Sequence, residues 1–181
     1  MHEIETKVLE IDPKSIAEKL KILGAVEISN EKLVVDWYGP KGLTHDGDDP
    51  WFLRIRNYEP SGKKEVTWKA KSEHIGVSRK HKEINFTVSD ESSVGYLLEE
   101  LNLEKYAHQE KKRTSWKLGT IQFDLDIYPG MPSFIEIEAE SENDINEMIK
   151  KLNLEKNETW NDGERTLIKG KYNLDWFNMR F

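Results

Sequence analysis

Apolar and charged residues alternate along most of this chain, and the period of the alternation changes from segment to segment. Three segments repeat every three to four residues and are expected to be helices. Pro13 to Leu23 sets Ile16, Ala17, Leu20 and Leu23 on one face, with Asp12 placed to cap the start, Pro13 at the first helical position and Gly24 at the end. Asp90 to Leu101 carries Val94, Leu97, Leu98 and Leu101 behind a capping Asp90. Asn143 to Leu152 carries Ile145, Met148, Ile149 and Leu152. The second and third are each followed by Leu-Asn-Leu-Glu-Lys, at 101–105 and 152–156, which reads as two copies of one helix-to-strand exit.

Elsewhere the period is two, the signature of strands. Strands are expected near 2–10, 33–38, 51–58, 64–71, 79–88, 107–117, 120–128 and 133–140, with a hairpin turn at Lys117 to Thr120. The stretch from Gly39 to Pro50 holds three glycines, two prolines and three aspartates and reads as a loop. The 181 residues suit one domain spanning 1–181, of α+β class.

Side chains two apart on a strand share a face. Sorted by that rule, the polar faces separate by sign. Arg54 with Arg56, Lys69 with Lys71, and Lys111 with Arg113 are basic pairs. Asp124 with Asp126 and Glu136 with Glu138 are acidic pairs. The first strand aligns Glu3, Glu5 and Lys7, and a middle strand aligns Arg79, His81, Glu83 and Asn85. Most of these sets lie opposite apolar residues. A solvated sheet face is the ordinary explanation of any one pair, yet such faces usually mix Lys, Glu, Thr and Ser. Like charges two apart repel, so a bound partner is the natural source of compensation. Basic strands suit a polyanion and acidic ones a hard divalent cation; a polyphosphate with Mg²⁺ or Mn²⁺ satisfies both. About eight strands closed into a barrel would hold one small ligand inside, with the apolar faces turned outward against the helices.

Charge and composition narrow the classes further. A formal net charge of −7 disfavours duplex nucleic acid as a partner. Without cysteines, disulfides and thiolate metal sites are excluded. No apolar run reaches membrane-spanning length and no leader pattern opens the chain, so a cytoplasmic protein without membrane contact is expected.

Glu3-Ile4-Glu5-Thr6-Lys7 resembles the ExExK motif of the CYTH superfamily, the triphosphate tunnel proteins that include class IV adenylate cyclases, thiamine triphosphatases and inorganic triphosphatases. Arg54 and Arg56 resemble its central RxR, Lys69 and Lys71 its KxK strand, Glu83 its mid-chain acid, Lys111 and Arg113 its late basic pair, and Asp124/Asp126 and Glu136/Glu138 its late acidic strands. The resemblance runs in the family's order from residue 3 to about 140.

It implies a closed eight-stranded antiparallel barrel with helices outside. It implies Mg²⁺ or Mn²⁺ held by Glu3, Glu5, Asp126, Glu136 and Glu138, with Glu83 and Asp124 in support. It implies a triphosphate held by Lys7, Arg54, Arg56, Lys69, Lys71, Lys111 and Arg113, with Lys69 or Lys71 assisting catalysis. A homodimer is common among the family's bacterial members.

Hydrolysis of a small triphosphate is the leading expectation. A class IV cyclase converting ATP to cyclic AMP and pyrophosphate is the alternative, although the His-Phe pair such cyclases often carry ahead of ExExK is absent, since only Met1 and His2 precede Glu3. A binder without turnover comes third. Phe52 shares a face with the arginines, and a core or rim contact is its first expectation; His45 reads as a loop residue. The aromatic tail from Trp176 to Phe181 is expected to plug the barrel or pack on a partner, and Lys169 and Lys171 are candidates for a functional C-terminal lysine that the resemblance suggests.

Overall fold

The computed structural model describes the backbone of residues 2–45, 49, 51–71, 73–75 and 78–181; the side chains of residues 2, 3, 73–75 and 78–81 lie outside the described set. Glu3, Arg79 and His81 are therefore placed by backbone alone.

Among the described residues the chain forms β1 (His2–Val8), α1 (Pro13–Ile22), β2 (Val26–Pro40), β3 (Trp51–Glu59), β4 (Lys64–Ala70), β5 (Glu73–Ile75), β6 (Ser78–Thr87) and α2 (Glu91–Glu100). There follow β7 (Leu103–Leu118), β8 (Ile121–Ile127), β9 (Phe134–Ala139), α3 (Glu142–Lys151), β10 (Thr159–Trp160), the short α4 (Glu164–Thr166) running into one π-helical turn at Leu167–Lys171, and β11 (Asn178–Met179).

All strands join one sheet in the order β10-β1-β9-β8-β7-β2-β3-β4-β6-β5, with β11 on β7. β1 is paired on both sides, to β9 from Ile4↔Ala139 to Val8↔Ile135 and to β6 from His2↔Lys82 to Glu5↔Arg79. The expected count of eight strands is corrected to eleven: β5, β10 and β11 are two or three residues long, too short for alternation to reveal. β11 runs parallel to β7, whereas the other pairs are antiparallel. It sits beside His108 and Gln109, a part of β7 that β8 does not reach, because β8 pairs only with 112–118.

The three expected helices are present; Asp12 and Asp90 cap the first two as their sequences predict, and Ser141, not expected as a cap, serves the third. Asp12 accepts from Lys14 N at 3.2 Å, Asp90 from Ser92 N at 3.0 Å and Ser141 from Asp144 N at 3.2 Å, each satisfying an amide that the first helical turn leaves open. The repeated pentapeptide contributes the same helix stop twice. Asn102 (φ 60°) and Asn153 (φ 53°) both enter the left-handed region, which asparagine tolerates. Only the first copy continues into a strand, β7; the second continues into a turn.

The apolar faces do turn outward. Ile16 and Leu20 of α1 and Ile145, Met148 and Ile149 of α3 pack on Val8, Trp116, Phe123, Leu125, Ile135 and Ile137. Leu98 of α2 packs on Tyr38, Leu53, Ile55 and Val66. A fully buried side chain of this size contributes about 1.5–3 kcal/mol, so this outer packing leaves the inner faces free to be polar.

The inner wall is not charged throughout. Directly opposed residues share a face, and Leu33, Val35 and Trp37 oppose Tyr58, Arg56 and Arg54. They join Leu9, Tyr128, Phe134, Leu167, Ile168, Trp176 and Met179 in a second apolar cluster. From Leu33 to Trp37 the inward face of β2 is thus apolar, and the C-terminal segment packs against it.

Candidate functional site

A cavity of about 1020 Å³ opens on the inner faces of the sheet. Arg54, Arg56, Lys69, Lys71, Glu5, Glu83, Asp124, Glu136, Glu138 and Arg113 line it. These are ten of the residues singled out from the sequence; nine come from seven strands, whose alternation turns them inward, and Lys71 lies just beyond the end of β4. Lys7, Lys111 and Asp126 stand behind this lining and are almost wholly buried.

Across the sheet, neighbouring strands answer one another's charge. Arg56 opposes Glu65, and its Nη2 donates both to that carboxylate and to Thr67 Oγ1, the latter at 2.9 Å. Lys69 opposes Glu83 and is ion-paired with it. Arg113 opposes Asp126 and grips it with Nε at 2.6 Å and Nη2 at 2.5 Å, while its Nη1 donates to Asp124 at 2.5 Å. Much of the compensation that the like-charged pairs require is therefore supplied by the adjacent strand, a pairing that no within-strand pattern displays.

Two places break this rule. Asp124 opposes Glu136, and Glu138 opposes Glu5, so acids face acids across β8, β9 and β1. Burial raises the Asp124 pKa, and Asp126 and Glu136 add to the shift despite the lowering by Arg113. Lys7 Nζ lies 2.8 Å from Glu136 and 3.9 Å from Glu5, a cation set among these acids. Hard carboxylate oxygens facing one another suit Mg²⁺ or Mn²⁺ in donor chemistry. Among the described residues no three such side chains converge into a ready-made cage. Asp124 faces the cavity with its two oxygens accepting from Ser115 and Arg113, and Asp126 lies behind the lining with both oxygens taken by Arg113 and Lys111.

The second departure is Arg54. Its Nε is buried and has no hydrogen-bond partner among the described residues. Its guanidinium lies 5.4 Å from the Trp37 ring centroid. Burial first, and then the neighbouring Arg56, lower its pKa below the ordinary value. Arg113 is the opposite case: burial opposes its charge, but Asp124 and Asp126 outweigh that and hold its pKa well above the ordinary value.

The C-terminal segment adds residues absent from the sequence reading. Glu164 and Arg165 both reach the cavity lining. Glu164 accepts from Lys111 Nζ at 2.9 Å and from the Tyr128 hydroxyl at 2.7 Å, and Lys111 also donates to Asp126 at 2.9 Å. Burial alone would raise the Glu164 pKa; Lys111, with Lys7 and Arg54, overcomes this and holds it well below the usual carboxylate range. Burial, reinforced by Glu164 and Asp126, keeps the Tyr128 hydroxyl protonated far above its usual pKa.

Arg165 donates to His45 O at 2.7 Å, Asp49 Oδ2 at 2.8 Å and the Tyr106 hydroxyl at 2.9 Å, and lies 4.3 Å from the Trp176 ring centroid. His45 is thus more than a loop residue. It is buried, stacked 3.8 Å from Tyr106, and its Nδ1 is 3.1 Å from Asp49. Neither Lys169, over Phe177, nor Lys171, paired with Glu158, lines the cavity. Phe52 lines it and packs edge-on to Trp37, so it serves both wall and core. The only advance signal for Glu164 is an acid following Gly163, which nothing in the spacing distinguishes from other exposed acids.

A largely antiparallel sheet whose inner face gathers arginines, lysines and carboxylates around a large cavity defines a class of protein with a charged interior between its strands. The CYTH domain profile matches residues 1–165, and the chain belongs to that family, which includes triphosphatases and class IV adenylate cyclases.

Solved structures share the fold. A conserved hypothetical protein from Pyrococcus furiosus is 22% identical with TM-score 0.74, over 92% of this chain and 99% of its own. A protein from Vibrio parahaemolyticus proposed to be an adenylate cyclase is 17% identical with TM-score 0.75, over 93% and 98%. A protein from Hippeastrum, proposed to be an adenylyl cyclase and showing a dominant triphosphatase activity, is 14% identical with TM-score 0.64, over 96% and 97%. At these identities the likeness concerns the fold. No curated protein matches the chain. Among the described residues, no helix is long and apolar enough to cross a membrane.

Proposed function

We propose that this protein is a divalent-metal-dependent hydrolase of a small triphosphate, such as tripolyphosphate, thiamine triphosphate or a nucleoside triphosphate, bound within the sheet as in a tunnel. The observation that carries the reading is Arg54: a desolvated guanidinium at the cavity wall whose Nε has no partner among the described residues. Holding a cation in that state is unfavourable unless an anion arrives to meet it. Support for the tunnel comes from β1, which is paired to both β9 and β6. The family and the triphosphatase activity of the Hippeastrum relative support the reaction class.

In this reading Arg54 and Arg56 take phosphate oxygens in forked contacts, and Lys69 and Lys71 supply point charge beside the chain. Lys69 or Lys71 assists the transfer. Arg113, which lines the cavity, and Lys7 and Lys111, buried behind the lining, add cationic charge and hold the carboxylates in place. Glu5, Glu136 and Glu138, with Asp124, would hold Mg²⁺ or Mn²⁺; when bound, the ion supplies Lewis-acid stabilisation of phosphate oxygens.

The test is incubation with tripolyphosphate or ATP and either metal, products being resolved by phosphorus NMR, beside a Glu136→Gln/Glu138→Gln variant. Orthophosphate that disappears in the variant is expected. Cyclic AMP with pyrophosphate would instead establish the cyclase, and no turnover with either metal would refute both.

A further inference from the structure

Glu164 is a buried acid placed where the cavity gathers its cations. It lines the cavity beside Arg54 and Arg165 and takes one of the two salt-bridging positions on Lys111, with Asp126 in the other. Tyr128 holds its second oxygen at 2.7 Å, fixing the carboxylate rather than leaving it to swing. The segment that delivers it, α4 and the π-helical turn, is anchored by Leu167 and Ile168 in the apolar cluster and by the three hydrogen bonds of Arg165. The carboxylate thus pairs with Lys111 behind the lining and sets a negative charge on the cavity wall where a phosphate would sit.

On the reading of the cavity as a triphosphate site, we propose that Glu164 is a built-in counter-anion that opposes the substrate's phosphate at the cationic wall it lines, Arg54 foremost, while pairing with Lys111 behind that wall. Without ligand, Glu164 keeps Lys111 paired and the cationic wall partly neutralised. When a polyphosphate enters, two anions claim the same cations, and either the carboxylate withdraws or the complex bears their repulsion. In both cases the chain binds polyphosphate less tightly than its cations alone would allow, which favours release of a phosphate product. By linkage, bound polyphosphate weakens the Glu164–Lys111 contact by the same factor.

The test is calorimetric titration of tripolyphosphate into the full chain with a chelator present, comparing wild type, Glu164→Gln and Tyr128→Phe. Glu164→Gln keeps shape and removes the charge; like charges brought together cost affinity, so binding about tenfold tighter is expected. Tyr128→Phe keeps every charge and only loosens the carboxylate, so a smaller tightening is expected. Urea unfolding supplies a second readout. Glu164→Gln should be less stable than wild type without ligand, and the gap should close or reverse at saturating tripolyphosphate, which a merely structural role would not produce.

Equal or weaker tripolyphosphate binding by Glu164→Gln overturns the inference while leaving the triphosphate reading intact. If Glu164→Gln does not fold, Tyr128→Phe decides alone, unchanged affinity refuting the competition. No binding by wild-type protein, either with the chelator or with Mg²⁺ added in its place, refutes both the competition and the triphosphate site beneath it.

Discussion

Arg113 is the residue on which the acidic half of the cavity depends, and Arg113→Met isolates that dependence. Methionine retains much of the side chain's length but none of its donors. The substitution removes two hydrogen bonds to Asp126 and one to Asp124, and leaves both acids buried near Glu136, 3.6 Å from the lost guanidinium. Asp126 keeps Lys111, so one of its two cations survives. Removing one partner from a buried ion pair costs about 3–5 kcal/mol, because a charge is stranded, and the remaining lysine argues for the middle of that range, about 4 kcal/mol.

For a chain of this length that corresponds to a fall in Tm of roughly 8–16 °C. Urea unfolding at neutral pH measures it directly. The loss has a pH signature. The Asp124 pKa is already raised in the folded protein, and removing Arg113 raises it further. A carboxyl whose folded pKa exceeds its unfolded value destabilises above that folded pKa, and the penalty fades as pH falls through it. The variant should therefore regain much of its deficit under acid conditions, and Arg113→Met/Asp126→Asn should be more stable than Arg113→Met at neutral pH. A loss under about 1 kcal/mol, as for a surface ion pair, or a deficit independent of pH, would refute the reasoning.

Arg54→Met should have the reverse character: unchanged or slightly higher apo stability, since the guanidinium is desolvated with Nε unpartnered among the described residues, together with a loss of tripolyphosphate affinity of about 2–3 kcal/mol, read by calorimetry beside urea unfolding. Glu65→Gln tests the Arg56 pairing. Burial would raise the Glu65 pKa, but Arg56 and Lys63 lower it below the ordinary value, so its stabilisation is complete above the unfolded carboxyl pKa and lost as pH falls through the folded one. The variant should be less stable than wild type at neutral pH and converge with it in acid; a constant gap would count against the pairing. Gly39→Ala places a Cβ 2.2 Å from His45 Cε1, so the buried ring must leave its seat on Tyr106; about 1–3 kcal/mol of destabilisation is expected, and an unchanged Tm would show that the seat is dispensable.

Strand alternation is a local property, and it made much of this protein legible in advance. A period of two turns Arg54 and Arg56, Lys69 and Lys71, and Glu136 and Glu138 inward whatever their neighbours are, and the cavity lining contains all six. Helix caps are equally local, which is why Asp12, Asp90 and Ser141 stand where their helices begin. What alternation could not convey was partnership between strands. Only register decided that Arg113 should grip Asp126 and thereby withdraw it from the lining, that Glu138 should face Glu5, and that Leu33, Val35 and Trp37 should share the inner face with arginines. Glu164 and Arg165 lie in a segment too short to carry a period, and they reach the cavity because apolar residues on either side of the following turn bury against β2. The faces of the strands follow from the order of residues along the chain; which charge meets which follows from how the strands are brought together, since electrostatic pairing depends on distance in space.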